Sequence, residues 1–360
     1  MAEHNGSAGR TVINGPKRPF HGKSCLVTGA AGFMGRYMVR LLAEQGADVV
    51  ATDVVSDAPA EFAACRNVTY LRGDLTNHGN VDSLVRTKKY DYVFHVAGLF
   101  DYSASERLLH DVNVMGSNNL LRQLCVADNI PERFVFWAAG GVYDFSRGKP
   151  GKAAKEDSPI APNLGGYLKS KYDAEMMLFQ EGRELGVPVS SIRPGGVYGP
   201  GSRYGVAIAI KIAAGGGMGP FYIGPQKTRA GMVHAEDVCR AAMFVALRPQ
   251  AAGEIYNVND DSAYTTAHLM RVCARRLGFP MLPLVGLPMG AMRLFVKQLK
   301  RRAEKMGRVS LLTEDMISLQ ELDALLDASK LKALGWTPKY PDSLAGLLET
   351  IAEYRKEGWL

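Results

Sequence analysis

Nowhere in the 360-residue chain is there an unbroken apolar run of the length, about 18 residues, that a membrane-spanning helix needs. Cysteine is scarce and scattered. Cys25, Cys65, Cys125, Cys239 and Cys273 form no C-x-x-C pair and are odd in number, which excludes a disulfide framework or a zinc ribbon and points to reduced thiols in a reducing compartment. No His, Cys or Asp cluster has metal-ligand spacing, so no metal is expected. Internal repeats and low-complexity tracts are absent. Residues 1–21 lack the apolar core of a signal peptide and read as a flexible lead-in. The net charge is +7, but Arg293, Lys297, Lys300, Arg301, Arg302, Lys305 and Arg308, against the single acid Glu304, account for most of it. Excess charge confined to one stretch is not the broad basic face of a nucleic-acid binder. The expectation is a cytoplasmic protein with no nucleic-acid partner.

What the chain does contain is alternation. Ser24–Thr28, 47–52, 67–72, 92–96 and 133–137 read as short apolar strands, with 187–192 and 254–258 as two more. Helical patterns lie between several of them, as at 33–45 and 112–128. Strand–helix alternation at this spacing means parallel strands joined by crossover helices, hence an α/β doubly wound sheet. After about Gly199 the pattern loosens, with a Gly-rich run at 215–219 and three prolines within 278–290. A Rossmann domain from 22–199 with 230–262, and a smaller, mostly helical C-terminal substrate domain from 200–229 with 263–360, are the expected units. A ligand belongs in the crevice between them, beyond the carboxyl ends of the strands.

Thr28-Gly29-Ala30-Ala31-Gly32-Phe33-Met34-Gly35 follows the first strand and opens a helix. Gly29 permits the tight turn, Gly32 lets a pyrophosphate approach the backbone, and Gly35 lets helix and strand pack closely, with Ala31, Phe33 and Met34 completing the turn. Asp53 ends the second strand, 18 residues beyond Gly35, where a carboxylate accepts hydrogen bonds from a ribose diol and repels a 2′-phosphate. The cofactor expected from these residues is NAD rather than NADP.

The Gly-x-x-Gly-x-x-Gly spacing resembles the extended branch of the short-chain dehydrogenase/reductase superfamily, the NAD-dependent epimerases and dehydratases. Gly73-Asp74-Leu75, His95-Val96-Ala97-Gly98, Asn113-Val114-x-Gly116, Tyr167-x-x-x-Lys171, Arg193-Pro194-Gly195-Gly196-Val197-Tyr198-Gly199-Pro200, Val233-His234-Ala235-Glu236-Asp237-Val238 and Leu334-Gly335-Trp336-x-Pro338 resemble its further motifs in order, over roughly 22–355. The resemblance implies that Asp74 and Leu75 meet the adenine, that Ala97 and Gly98 lie along the cofactor, and that Pro194 and Gly196 flank the nicotinamide. It also implies a homodimer through the helices that include Tyr167 and Lys171, and structural roles for His95 and His234.

Tyr167 and Lys171 stand four apart in a helical stretch and share one face. A free phenol has a pKa near ~10. A neighbouring ammonium and a positive nicotinamide favour the phenolate, so Tyr167 is expected to act as general acid/base while Lys171 tunes it and holds the nicotinamide ribose. One position departs from the family. The Ser or Thr that normally precedes Val-Tyr-Gly by three residues is Ala139, and Ala138 also lacks a hydroxyl. Losing one such donor typically costs ~100-fold in rate. Tyr143 is the only nearby hydroxyl.

Three functions compete. Gly195-Gly196 fits a 3β-hydroxysteroid or sterol dehydrogenase-like enzyme, interconverting a secondary alcohol and ketone on a bulky apolar substrate. A nucleotide-sugar epimerase or dehydratase would carry Asn where Gly196 stands, although Arg229 resembles a diphosphate-contacting arginine. Ala139 leaves a non-catalytic NAD-binding regulator as the third. Met292, Phe295, Val296, Leu299, Ala303 and Met306 recur at helical spacing opposite a basic face, so 289–308 is either an ordinary packed helix or a peripheral membrane contact. Phe100, Asp101, Tyr102, Tyr204 and Phe221 are candidate lining of the substrate cleft.

Overall fold

The computed structural model describes residues 18–102, 104–147, 151–203, 207, 210, 227–229, 231–278, 289–305 and 322–360. Strands β1 (Ser24–Thr28), β2 (Asp48–Asp53), β3 (Val68–Arg72), β4 (Tyr92–His95), β5 (Arg133–Trp137), β6 (Val189–Pro194) and β9 (Ile255–Val258) form one sheet in the order β3-β2-β1-β4-β5-β6-β9. Every neighbouring pair is parallel. The order reverses direction at β1, so the carboxyl ends of β1 and β4 diverge into the crevice where an open α/β sheet binds its ligand.

Both faces of the sheet are covered, which is why its strands are apolar on both sides. Helices α1 (Phe33–Glu44) and α6 (Ala235–Ala246) pack Met38, Leu42, Val238 and Ala242 against Val27, Val49, Phe94 and Val135. On the other face α2 (His78–Arg86), α4 (Gly116–Val126) and α5 (Gly166–Leu185) bring Leu84, Leu120, Leu124 and Leu178 onto Leu26, Val93, Phe134 and Phe136. All five residues of β5 are buried. Each fully buried Leu or Phe contributes about 1.5–3 kcal/mol relative to exposure, so these two layers dominate the stability.

Three features differ from the sequence reading. The lead-in does not extend to residue 21: Phe20 is fully buried with its ring 5.2 Å from Tyr92, so the folded chain starts before residue 22. The helix expected over 112–128 enters through α3 (Glu106–Leu109) and a wide π turn at His110–Met115 before α4. Beyond β6 the chain forms a separate parallel pair, β7 (Gly196–Tyr198) with β8 (Met232–His234).

The remaining elements are helical: α7 (Thr266–Leu277), α8 (Met289–Lys305), α9 (Ser329–Ala333) and α10 (Ser343–Lys356). Tyr198, Met232, Leu269, Cys273, Leu347 and Ile351 form a third, smaller apolar cluster there. All five cysteines are free. No helix among the described residues is long and apolar enough to cross a membrane, and no group of three metal-ligating side chains occurs among them. Gly215–Gly219, the prolines of 278–290, Tyr204, Phe221, Met306 and Arg308 lie outside the described residues, as do the side chains of Met292, Phe295 and Ala303.

Candidate active site

One elongated cavity of about 1710 Å³ runs along the carboxyl ends of the strands. Gly29, Ala31, Gly32, Phe33, Met34, Gly35, Asp53, Asp74, Leu75, Ala97, Gly98, Tyr167, Lys171, Pro194 and Gly196, all named from the sequence, line it. Residues separated by up to 167 positions therefore meet at one surface, most of them at strand ends or in the turns that follow, with Tyr167 and Lys171 brought in by α5.

The glycine turn is built as its spacing requires. Gly29 has φ +65°, a left-handed backbone that disfavours any side chain, and a Cβ there would stand 2.7 Å from the Ala97 backbone. A Cβ on Gly35 would overlap the Gly29 carbonyl oxygen. Gly32 caps α1 without a side chain, so the first-turn N–H groups have no side-chain cap and face an anion's natural seat. The Ala31 N–H donates to Asp53 Oδ2 at 3.0 Å, which locks the carboxylate at the end of β2 against the glycine turn. Asp74 Oδ1 accepts from the Thr76 N–H (2.9 Å) and hydroxyl (2.7 Å), and Asn119 Nδ2 holds the Leu75 carbonyl at 2.8 Å. Turn, helix terminus and carboxylate together fit a dinucleotide.

A buried polar chain links that end to α5, the helix that carries Tyr167 and Lys171. Thr28 Oγ1 bonds His95 Nδ1 at 2.7 Å, and His95 Nε2 bonds Ser117 Oγ at 2.7 Å. Ser117 donates to the Asn113 carbonyl, and Asn113 Nδ2 donates to Ser170 Oγ at 2.8 Å. Ser170 in turn donates to the Tyr167 carbonyl at 2.8 Å. Burial, reinforced by the nearby Lys171 charge, pushes His95 down to about 3, so it stays neutral. His234 caps α6, accepting from the Glu236 N–H at 3.2 Å, and burial lowers it to about 4. Neither histidine is placed to exchange protons near neutral pH.

The Tyr167–Lys171 pair differs in its electrostatics from the sequence expectation. Burial raises the Tyr167 phenol well above the usual tyrosine range, and the Tyr102 phenol adds to that. Burial brings Lys171 down to about 7, partly opposed by Glu175. The reason is the packing. Lys171 is 3% exposed with Nζ 4.2 Å above the Phe136 ring, and Tyr167 is wedged against Phe100 (4.8 Å between centroids) and Tyr102 (5.3 Å). In a low-dielectric wall of this kind desolvation outweighs the attraction expected between phenolate and ammonium.

Ala139 lines the cavity at the end of β5, beside Ala138. Tyr143 does not replace the missing hydroxyl, because its O–H donates to Asn257 Oδ1 at 2.8 Å inside the fold. Arg229 lines the cavity but is held by Asp323: Nη2 lies 3.1 Å from Oδ2, while Oδ1 accepts the Arg229 N–H at 2.8 Å. Asp323 and the double clamp of Asn113 on Leu99 were not named from the sequence. The first lies 94 positions from its partner and gives no local signal. The second was visible only as a motif asparagine.

Residues 25–259 match the NAD dependent epimerase/dehydratase family. A dTDP-4-dehydro-6-deoxy-D-allose reductase of a Streptomyces species is 30% identical over 62% of this chain and 72% of its own length. A 3beta-hydroxysteroid-dehydrogenase/decarboxylase (isoform 1) of Arabidopsis thaliana is 23% identical over 88% of this chain and 76% of its own. Among solved structures, the UDP-glucose 4-epimerase of Thermus thermophilus in complex with NAD superposes with a TM-score of 0.71 at 25% identity, covering 92% of this chain and 99% of that one.

Proposed function

Because the chain belongs to the NAD dependent epimerase/dehydratase family and is an NAD-dependent oxidoreductase, we propose that it interconverts a secondary alcohol and a ketone on a bulky apolar, sterol-like substrate. The observation that carries this reading is the wall beyond Tyr167. Phe100, Met232, Leu269, Met270, Leu326 and Leu347 line the cavity, with Ser202, Thr228 and Thr266 as hydroxyls among them, and Arg229 is already paired with Asp323. An apolar lining with few convergent polar groups suits a hydrocarbon framework better than a diphosphate.

Tyr167 takes the proton from the substrate hydroxyl in oxidation and returns it in reduction. Bound NAD supplies the hydride acceptor and, on its oxidised ring, a positive charge. Lys171 holds the nicotinamide ribose, the Gly29–Gly35 turn the pyrophosphate, Asp53 the adenosine ribose, and Asp74 with Leu75 the adenine. Ala97, Gly98, Pro194 and Gly196 line the same cavity and would border the cofactor when it is bound. Residues of α7 and α10, with Thr228, Arg229, Gly231 and Met232, form the substrate side.

A nucleotide-sugar reaction is the second reading, favoured by the likeness to the Streptomyces reductase. NADH formation, followed by absorbance against hydroxysteroids, sterols and UDP- and dTDP-sugars, separates the two. Turnover of a 3-hydroxysteroid that is lost in Tyr167→Phe supports the first, and turnover confined to the sugars replaces it with the second.

Two partners complete the proposal. Apolar side chains left exposed at Met115 and Val126, beside and on α4, and at Met176 on α5, support a homodimer through these helices, to be tested by sedimentation. On α8, Arg293, Lys297, Arg301 and Lys305 recur every fourth residue, all exposed, with Leu294 59% exposed beside them. That stripe supports peripheral contact with an anionic bilayer. Absence of liposome flotation at low salt would remove it.

A further inference from the structure

We propose that His95, as its Nε2–H tautomer, is a positioning residue that sets the cofactor wall at Ala97 through one ring nitrogen and the first turn of α5 through the other. It rests on the proposed roles of Ala97 and Tyr167, and not on the substrate class.

The tautomer is fixed from the two ends of the buried chain. The Asn113 carbonyl can only accept, so the one proton of the Ser117 hydroxyl goes to it, at 2.5 Å. Ser117 Oγ, 2.7 Å from His95 Nε2, then has only lone pairs to offer, and Nε2 carries the ring proton. At the other end the Ala97 N–H can only donate, and it meets Thr28 Oγ1 at 3.2 Å. The Thr28 proton goes to the bare Nδ1 at 2.7 Å. Donation thus runs in one direction, from Ala97 through Thr28, His95 and Ser117 to Asn113. Burial keeps the imidazole neutral, so each nitrogen holds a single role.

The two nitrogens serve different parts of the site. Thr28 and His95 are register partners on β1 and β4, so their side chains stand on one face of the sheet. Ala97 lines the cavity and abuts the glycine turn, since a Cβ on Gly29 would stand 2.7 Å from both Ala97 N and Cα. On the Nε2 side, Asn113 Oδ1 accepts the Leu99 N–H at 2.6 Å, and its Nδ2 donates to the Leu99 carbonyl at 3.2 Å and to Ser170 Oγ at 2.8 Å. Ser170 passes the hold to the Tyr167 carbonyl at 2.8 Å. Thr28, His95, Asn113, Ser117 and Ser170 are each at most 3% exposed, and none of their buried polar atoms lacks a partner. In such a chain, removing one member leaves its neighbours unpaired and free to shift.

The test separates the two nitrogens. His95→Asn places a carboxamide oxygen at the Nδ1 position, keeping the link to Thr28 and deleting the donor to Ser117. His95→Gln places an amide N–H at the Nε2 position, keeping the link to Ser117 and deleting the acceptor for Thr28. NAD affinity is read by calorimetry, and kcat on whichever alcohol of the steroid and sugar panel the unaltered protein oxidises. His95→Asn is expected to lower kcat about 30-fold, through a misplaced phenol, with the Kd for NAD within about threefold of the parent. His95→Gln is expected to raise that Kd about tenfold, the worth of one hydrogen bond, with kcat lowered no more than about threefold. Ser117→Ala cuts the Nε2 link without altering the sheet, and should reproduce the His95→Asn result even where changes at His95 prevent folding. Affinity and kcat falling together in both histidine variants overturns the proposal, since general loosening of the sheet does that. So does a kcat for Ser117→Ala within about threefold of the parent. An unaltered protein that binds NAD but oxidises no compound removes the acid/base reading of Tyr167 instead. His95 is then judged on affinity alone, which must fall in His95→Gln and hold in His95→Asn and Ser117→Ala; any other pattern overturns it.

Discussion

Replacing Lys171 with methionine is expected to stabilise the protein while removing its chemistry, with a gain that depends on pH. Methionine keeps the length and apolar body of the side chain, so the contact with Phe136 survives. What disappears is a buried amine that burial has brought from 10.5 down to about 7. In the unfolded chain this lysine stays protonated to near its ordinary value; in the folded protein it sheds its proton some three pH units lower. Between those two values the unfolded state binds more protons, so raising the pH stabilises the fold by about 1.4 kcal/mol per pH unit from this residue. Below about 7 both states are protonated and the cost of burying the charge is at its full value. The methionine variant has no such slope. It is expected to exceed the parent in stability by about 4 kcal/mol near pH 7 and by about 2 kcal/mol near pH 9. Urea unfolding of both proteins at those pH values measures the difference. A gap that does not narrow with rising pH, or a variant less stable than the parent near neutrality, would refute the reasoning that desolvation dominates at Lys171. Turnover by the variant is expected to fall by at least about 100-fold.

Asp323→Asn keeps one side-chain oxygen for the Arg229 N–H, gives up the acceptor of the Gly151 N–H, and releases the Arg229 charge, so the affinity for UDP measured by calorimetry is expected to rise about fivefold or more. Unchanged UDP binding would show that Asp323 is not what neutralises the arginine. Gly35→Ala drives a methyl group into the Gly29 carbonyl, so a loss of roughly 2–4 kcal/mol in stability and of NAD-induced thermal stabilisation is expected in a melting assay. Burial holds the Asp260 carboxyl up at about 7, opposed by hydrogen bonds from Ser262, so its contribution weakens the fold as pH rises from about 4 to about 7. Asp260→Asn removes that dependence: its melting temperature should exceed the parent's near pH 8 and match it near pH 4.

The cofactor half was legible because its signals are local. A strand, a turn that needs Gly29 at positive φ, a helix start and an acid at the next strand end all lie within a short span, and β1 and β5 occupy the very residues expected. What the sequence concealed is tertiary. Phe20 looks like part of a polar leader until Tyr92 and Phe94 close over it. Gly196–Tyr198 and Met232–His234 are three-residue strands whose pairing has no periodic signature. Charge behaviour was hidden for the same reason: the four-residue spacing of Tyr167 and Lys171 placed them on one face, but only the surrounding rings decide that burial outweighs their mutual attraction.

Glu175, fully buried on α5, carries a further consequence. It grips Arg193 of β6 through three guanidinium contacts, at 3.0 and 3.1 Å from Nε and a third from Nη2 to Oε2, and takes the Ser191 hydroxyl at 2.6 Å. Tyr167, Lys171 and Glu175 succeed one another at four-residue steps, so the grip acts as a pin on the rotational phase of the helix. Turning α5 about its axis, or sliding it by a residue, would strand two unpaired charges in the interior, at a cost of several kcal/mol. The direction in which Tyr167 points is therefore set from within the sheet and does not depend on the C-terminal helices. The C-terminal segment is fastened to the same sheet from its far edge, where Lys330 Nζ bonds Glu254 and the Ile255 carbonyl and Asp237 accepts the Lys339 and Tyr340 N–H groups, so a change of substrate wall can be made by side-chain replacement on a frame that holds the phenol's aim constant.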